Sequence, residues 1–462
     1  MFRFLLSDHQ YFCTQSSGNM RKVFFISLFA SVYTLIAQQN FDHIKMDKFL
    51  DALEQNHKAM GGIVLSKDGE IVYERYIGFA GVEANRKNTP HTIFKTGSIT
   101  KTFTAVIFQQ LIAEGKLTLE TPLADFFPDI PNAEKITISH LLYQRTGLHN
   151  FTDDEAYLEY RSSYQSRENM LERFRKLEKE FEPGEKFEYS NTNYVLLGYI
   201  IEEITGKKYK EVLEERITSP LGLENTYYEG AIDPESYEAF SYRYYEDNWE
   251  KVPMEDMSVP HGAGSIVSTP RDLVRFIEAL DQGKLTRTSS LEQMRDYQDG
   301  YGMGLFPLPF YDYIGYGHNG GIEGFQSNLV YFPGASLAMS CLFNGMNHNM
   351  NDILIGILSI YFGKKYEIPD LSAQPVELTE EDISRYVGDY TSDDMPLDIK
   401  IFVEDTQLYG QASGQPPFPL TPYSEKEFRF ANAGIIILFD PEKDYQQFRL
   451  KQGGGNFLYK QE

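Results

Sequence analysis

Phe94-Lys95-Thr96-Gly97-Ser98-Ile99-Thr100-Lys101 leads from an apolar segment into a helix. Behind it Phe103, Val106, Ile107 and Leu111 recur at helical spacing, and Gly115 stands where a C-terminal cap would end the pattern. Ser98 is therefore expected at a helix N-terminus, where the backbone dipole favours an anion. Ser98-x-x-Lys101 is the only S-x-x-K in the chain. Residues three apart share a helix face, which puts the Lys101 amine beside the Ser98 hydroxyl. Such a lysine lowers the cost of forming the alkoxide or, with its own pKa depressed by burial, takes the proton itself. Read alone, the pattern serves equally as a capping serine and an exposed lysine.

Upstream, residues 46–53 read as a short helix. Residues 62–73 then read as strand, turn and strand, Asp68-Gly69 supplying the positive φ of a tight hairpin. Downstream, residues 150–180 are charged and Tyr-rich with a helical pattern over 170–177, broken by Glu182-Pro183-Gly184-Glu185, and residues 194–205 form a helix ended by Gly206. From Ile314 the pattern turns to strands over 324–332 and 336–343, followed by a helix over 351–362. Strands at both ends of a helical middle predict an α+β sandwich. Residues 368–375 read as a linker. Beyond them, short alternating strands (399–403, 428–430, 435–439, 448–450) predict a small antiparallel barrel or sandwich.

Two further clusters carry chemistry. Tyr189-Ser190-Asn191 follows Pro183-Gly184 and precedes an apolar run. A phenol beside a lysine ammonium has a lowered pKa, which suits it as general base and then as acid toward a leaving group. Asn191 offers a donor and an acceptor to a substrate amide or to the lysine. The same triplet equally fits a turn tyrosine followed by a helix cap. The second cluster is Tyr316-Gly317-His318-Asn319-Gly320-Gly321-Ile322-Glu323-Gly324-Phe325 at a strand entry. Its glycines let a substrate backbone lie against the strand and free an N–H for an oxyanion hole, while His318 is placed to steer a substrate carboxylate or carbonyl. Glu323 reads either as repelling acidic substrates or as a turn residue pointing to water.

Composition narrows the field. At 462 residues and 42% hydrophobic, the chain has enough material for one large core and a smaller one. A net charge of −24 argues against nucleic acid as a partner. Met20-Arg21-Lys22, the apolar run from Val23 to Ala30 and the small-residue stop at Ala37 fit a secretory signal, cleaved after Ala37 or else kept as an anchor, so export to the periplasm or medium is expected, without membrane insertion once cleaved. Cys13 precedes that signal, and Cys341 sits in an apolar run as a buried small hydrophobe. The nine histidines show no metal-binding spacing, and neither a metal nor another cofactor is expected. His140, His149 and His261 read as structural.

The ordered trio Ser98-x-x-Lys101, Tyr189-x-Asn191 and His318-x-Gly320 resembles the three signature elements of the serine β-lactamase-like and penicillin-binding-protein superfamily. That superfamily includes class C β-lactamases, D-alanyl-D-alanine carboxypeptidases, D-aminopeptidases and esterases. Thr146-Gly147-Leu148, Gly262-Ala263-Gly264 and Tyr301-Gly302-Met303-Gly304 resemble further family segments, and the likeness covers residues 45–362. It implies an antiparallel sheet flanked by helices with a helical subdomain. It also implies acylation of Ser98, proton transfer by Lys101 and Tyr189, substrate holding by Asn191, His318 and Gly320, and an oxyanion hole from the N–H groups of Ser98 and Gly321.

The chain departs from the family at Gln144-Arg145, where many relatives have His-Thr, and at His318, where β-lactamases proper have Lys. The second departure favours an esterase or peptidase over a β-lactamase. From about Val376, Arg385-Tyr386-Val387-Gly388-Asp389-Tyr390 resembles the opening of the lipocalin-like barrel appended to some family members. The expected organisation is an extension and signal over 1–37, a catalytic domain over 38–367, a linker over 368–375 and a barrel over 376–462. The expected activity is ester or amide hydrolysis on a small ester, peptide or β-lactam. A class C-like β-lactamase, or a sensor acylated by penicillin or a muropeptide without turnover, is the alternative.

Overall fold

The computed structural model describes residues 41–228, 237–430, 433–452 and 455–462. The secretory-signal reading and Cys13 lie outside them. Ala59–Lys67 (β1) and Glu70–Ile77 (β2) form the expected hairpin through Asp68 at φ 53° and Gly69 at φ 87°. The chain returns to them with Phe306–Phe310 (β3), Tyr313–Ile322 (β4), Phe325–Phe332 (β5) and Leu337–Met346 (β6). The order β3-β4-β5-β6-β1-β2 is antiparallel along this path, with Ile63 opposite Cys341 where the two halves of the chain meet. The sequence pattern hid β3, because Pro307 and Pro309 mask a strand. It is tolerated as an edge strand, where a missing N–H breaks no ladder on the open side.

The two faces of the sheet are covered differently, which is how a strand period of two reads in three dimensions. Leu329, Tyr331 and Leu342 join the larger core. That core also holds His43–Gln55's (α1) successors in the chain: Thr100–Ala113 (α2), Asn191–Thr205 (α3) and Pro270–Asp281 (α4). Phe103 stacks on Phe276 with ring centroids 3.7 Å apart, tying α2 to α4. On the opposite face Val330, Phe332, Cys341 and Phe343 pack with α1 and with Met350–Tyr361 (α5). Burying each large apolar side chain there contributes about 1.5–3 kcal/mol. Cys341 is fully buried and free, as its apolar flanks predict.

Nine short antiparallel strands follow: Gly388–Thr391 (β7), Ile399–Glu404 (β8), Gln407–Ala412 (β9), Phe418–Pro419 (β10), Thr421–Pro422 (β11), Glu427–Phe430 (β12), Ile435–Phe439 (β13), Gln447–Gln452 (β14) and Gly455–Gln461 (β15). β7 pairs with both β8 and β15, so the sheet curls into a near-barrel open only between β10 and β11. Tyr386, Tyr390, Phe428, Phe439 and Phe448 fill its separate core. The fold is thus α+β, an antiparallel sheet flanked by helices, followed by an all-β near-barrel.

Candidate active site

Ser98 lies in a single 3-10 turn, Gly97–Ile99, that runs straight into α2. Gly97 takes φ 52°, and a Cβ there would stand 3.0 Å from the backbone nitrogen of Gly321. A Cβ on Gly320 would stand 2.2 Å from the Thr96 carbonyl oxygen and 2.9 Å from the Ser98 nitrogen. Only glycine permits this approach of β4 to the serine turn, and it brings Gly320 and Gly321 against the backbone of Ser98.

Lys101 is completely buried one helical turn on. Its Nζ lies 3.0 Å from Ser98 Oγ, 2.7 Å from Asn191 Oδ1 and 2.9 Å from the Ala263 carbonyl oxygen. Burial pushes its pKa well below the usual lysine range. A neutral amine in this cage gives its two hydrogens to the two carbonyl oxygens and turns its lone pair toward Ser98 Oγ. The orientation of Asn191 is fixed from outside the cage: its Nδ2 donates to Thr152 Oγ1 at 3.2 Å, and its N–H donates to Asn150 Oδ1 at 2.9 Å.

The Tyr189 ring centroid lies 4.9 Å from Lys101 Nζ, on the Ser98 side of the cage. The sequence reading expected a lysine ammonium to lower the tyrosine's pKa. The site does the opposite: burial raises the phenol, only partly offset by Ser98, and burial lowers the lysine beside it.

His318 lies on the same strand as Gly320 but is 2% exposed. Its Nδ1 faces the Asn319 carbonyl and its Nε2 lies 3.3 Å from the Tyr301 hydroxyl. Burial, then the nearby Lys101, lowers its pKa to about 3, so the ring is neutral. Nδ1 therefore carries the hydrogen and Nε2 accepts from Tyr301. All seven residues singled out in the sequence, Ser98, Lys101, Tyr189, Asn191, His318, Gly320 and Gly321, converge on this one site, with His318 beneath it and both ring nitrogens engaged by the protein.

Three partners were not assigned a role from sequence. The Ala263 carbonyl is invisible to any side-chain motif, although Gly262-Ala263-Gly264 flags the segment. Tyr301, in the Tyr-Gly-x-Gly stretch, closes on His318. Gln144, fully buried at φ 60°, accepts from the Ser190 N–H at 3.2 Å and from Asn193 Nδ2 at 2.6 Å, so it clasps the start of α3 that presents Asn191. Glu323 corrects the sequence reading outright. It points neither to water nor into an open cleft, but forms a buried ion pair with Lys95 at 2.7 Å, their side chains 1% and 2% exposed. His140 and His261 serve structure: the first accepts from the Thr137 N–H in a capping box, and the second stacks on Tyr199 with centroids 4.7 Å apart.

Among the described residues no group of His, Cys, Asp or Glu is arranged to hold a metal ion, and no helix is long and apolar enough to cross a membrane.

The family described as Beta-lactamase matches residues 46–358. Penicillin-binding protein 4* of Bacillus subtilis (strain 168) is 27% identical over 430 residues, covering 86% of this chain and 94% of that protein. Teichoic acid D-alanine hydrolase of Staphylococcus aureus (strain MRSA252) is 25% identical over 324 residues, covering 67% of this chain and 77% of its own. The crystal structure of D-amino acid amidase from Ochrobactrum anthropi SV3 superposes with a TM-score of 0.57 at 27% identity, covering 65% of this chain and 92% of that one. With Ser98 Oγ 3.0 Å from the buried Lys101 amine and the half-buried Tyr189 beside them, and with the family match over residues 46–358, this chain belongs to the β-lactamase family and is a serine hydrolase of the β-lactamase-related type.

Proposed function

We propose that the protein hydrolyses an ester or amide of a D-amino acid through an acyl-Ser98 intermediate. The observation that carries this reading is the Lys101 cage, whose two carbonyl acceptors leave the lone pair for Ser98. Ser98 Oγ attacks the substrate carbonyl carbon while its proton passes to Lys101 Nζ. The carbonyl oxygen becomes an oxyanion held by the N–H groups of Ser98 and Gly321. The bond to the leaving nitrogen or oxygen then breaks, Tyr189 gives that atom a proton, and the lysine returns its proton to the tyrosine. Water repeats the sequence on the acyl-enzyme, releasing the acid and restoring Ser98.

His318 supports Tyr301 and the strand, while Asn191, Gly320 and Gly321 line the substrate position. A neutral buried histidine where β-lactamases proper carry a lysine offers no cation to a free substrate carboxylate. That favours amides and esters over β-lactams and peptides with a free C-terminus. The D-configuration is suggested by the relatives, a D-amino acid amidase and a D-alanine hydrolase among them. Export and a lipocalin-like identity for the β7–β15 near-barrel belong to the same reading.

The test is a release assay with D- and L-phenylalanine amide, p-nitrophenyl butyrate and a chromogenic cephalosporin, each run beside Ser98→Ala. Turnover of the D-amide or the ester that vanishes in the variant supports the proposal. Cephalosporin turnover exceeding both would make the protein a β-lactamase. Penicillin trapped on Ser98 without turnover of any substrate would make it a sensor.

A further inference from the structure

A cleft of about 1430 Å³ opens between the central sheet and the near-barrel; Ser98, Lys101 and Tyr189 take no part in its lining, but it reaches the edge of the active site at His318. Its floor is the outer side of β4 and β5. Ser327 and Leu329 turn inward toward the serine turn and the larger core, so the alternate residues Gln326 and Asn328 turn outward, with Asn319 opposite Asn328 in the register. Farther along the same face the outward positions are Val330 and Phe332, packed with α1 and α5. The face therefore changes from apolar to amide where helix cover gives way to the near-barrel. From across the gap come Arg429, Gln452 and Asn456.

Asn328 is 4% exposed, and its Oδ1 accepts no hydrogen bond from the described residues. Buried side-chain amides are normally satisfied, and a position that only filled space here would be apolar like its neighbours. The charges of the lining balance, with four basic and four acidic side chains. Arg429 is moreover bonded through Nε to Glu427 at 2.6 Å. His348 at the rim, lowered to about 4 by burial, adds no charge at neutral pH. An ionic ligand has little to gain in such a cleft. Amides, which donate and accept in equal measure, suit hydroxyl groups, and Tyr311, Tyr366, Tyr423 and Phe306 supply rings for the C–H faces of sugars. The volume exceeds the roughly 300–1,000 Å³ of a pocket for one small molecule.

We propose that this cleft binds a neutral glycan chain, several sugar units long, alongside the site of the acyl chemistry of Ser98. One strand, β4, serves both places: Gly320 belongs to the active site, Asn319 to the cleft, and His318 borders both. A bound glycan would hold the enzyme on a carbohydrate polymer while Ser98 works on a substituent or neighbour of it.

The test is calorimetric titration of the full chain carrying Ser98→Ala with chitohexaose, maltohexaose and, as an anionic control, polyphosphate. The nucleophile is absent throughout, so the result does not depend on the proposed reaction. Saturable binding of a hexasaccharide, weakened at least about tenfold by Asn328→Leu and by Asn456→Ala, is the expected result. Asn456 is exposed on the near-barrel, so its variant keeps the test informative should Asn328→Leu fold poorly. Absence of binding by both sugars at millimolar concentration, binding by polyphosphate alone, or sugar binding that Asn456→Ala leaves unchanged would each overturn the proposal.

Discussion

Lys101 Nζ lies 2.7 Å from Asn191 Oδ1, inside a cage where the amine is fully buried and, among the described residues, no carboxylate is a hydrogen-bond partner. This contact is the electrostatic setting of the active site. A neutral amide accepts from the lysine without favouring its protonated form as a carboxylate would.

Asn191→Asp therefore tests the setting with an almost isosteric change. A carboxylate at this distance raises the lysine pKa, by about 1–3 units by analogy with other close ion pairs. The acid limb of the kcat/KM profile should move to higher pH, with activity recovering as pH rises. An acid limb that stays in place would mean that Lys101 is not the group whose deprotonation it reports.

In the native enzyme the same logic fixes the sign of the pH dependence. The proposed mechanism needs neutral Lys101 and protonated Tyr189, so activity should rise with pH through the depressed lysine pKa and fall only when the raised phenol ionises. Lys101→Arg installs a cation that cannot give up its proton and should lower kcat by about 10²–10⁴-fold. Tyr189→Phe should lower kcat more for an amide than for a p-nitrophenyl ester, whose leaving group departs without a proton. Equal losses on the two substrates would remove Tyr189 from the role of acid.

Much of this was legible before the fold. Ser98 and Lys101 share a helix face by spacing alone, and the glycines at 320 and 321 announce a close backbone approach. What escaped was whatever depends on packing across the chain. Sequence spacing says that a phenol and an amine are near each other, but it does not say that both are desolvated, and desolvation reverses the expected order of their pKa values. Glu323 looked like a surface turn because its partner, Lys95, comes from a distant part of the chain. Gln144 registered only as a departure from the family pattern, although it holds α3 in place. The edge strand β3 was hidden by two prolines that its position makes harmless.

Gln144→Ala tests the clasp. It leaves the Ser190 N–H and Asn193 Nδ2 without their shared acceptor at a buried helix start. The variant should lose about 1–3 kcal/mol of stability and also lose kcat, because Asn191 rides on the same turn. Urea unfolding measures the first and steady-state kinetics the second. Lost stability with full kcat would show that the clasp does not position Asn191.

The Lys95–Glu323 pair makes a sharper contrast. Glu323→Leu alone deprives a buried ammonium of its carboxylate and should cost about 3–5 kcal/mol. Lys95→Met combined with Glu323→Leu removes both charges and should recover most of that loss, since a well-packed apolar pair can replace a buried ion pair at little cost. Chemical denaturation of the two single variants and the double variant closes the cycle. Additive losses would show that the two charges do not interact.

His261 and His318 should make stability fall on acidification. Burial holds both folded-state pKa values near about 3, against 6.5 for an unperturbed histidine. Between those values the unfolded chain binds protons that the folded chain refuses. Their contribution is therefore full above about pH 6.5 and is lost as pH falls toward 3, at up to about 1.4 kcal/mol per pH unit for each histidine. His261→Asn isolates one of them, because asparagine tolerates the φ of 34° at this position and does not titrate there. The variant should be less stable at neutral pH, having lost its stacking on Tyr199, yet its stability should fall less steeply on acidification. Urea unfolding at neutral pH and at about pH 5 compares the slopes. Parallel slopes in the native protein and the variant would mean that His261 is not refused its proton in the folded state.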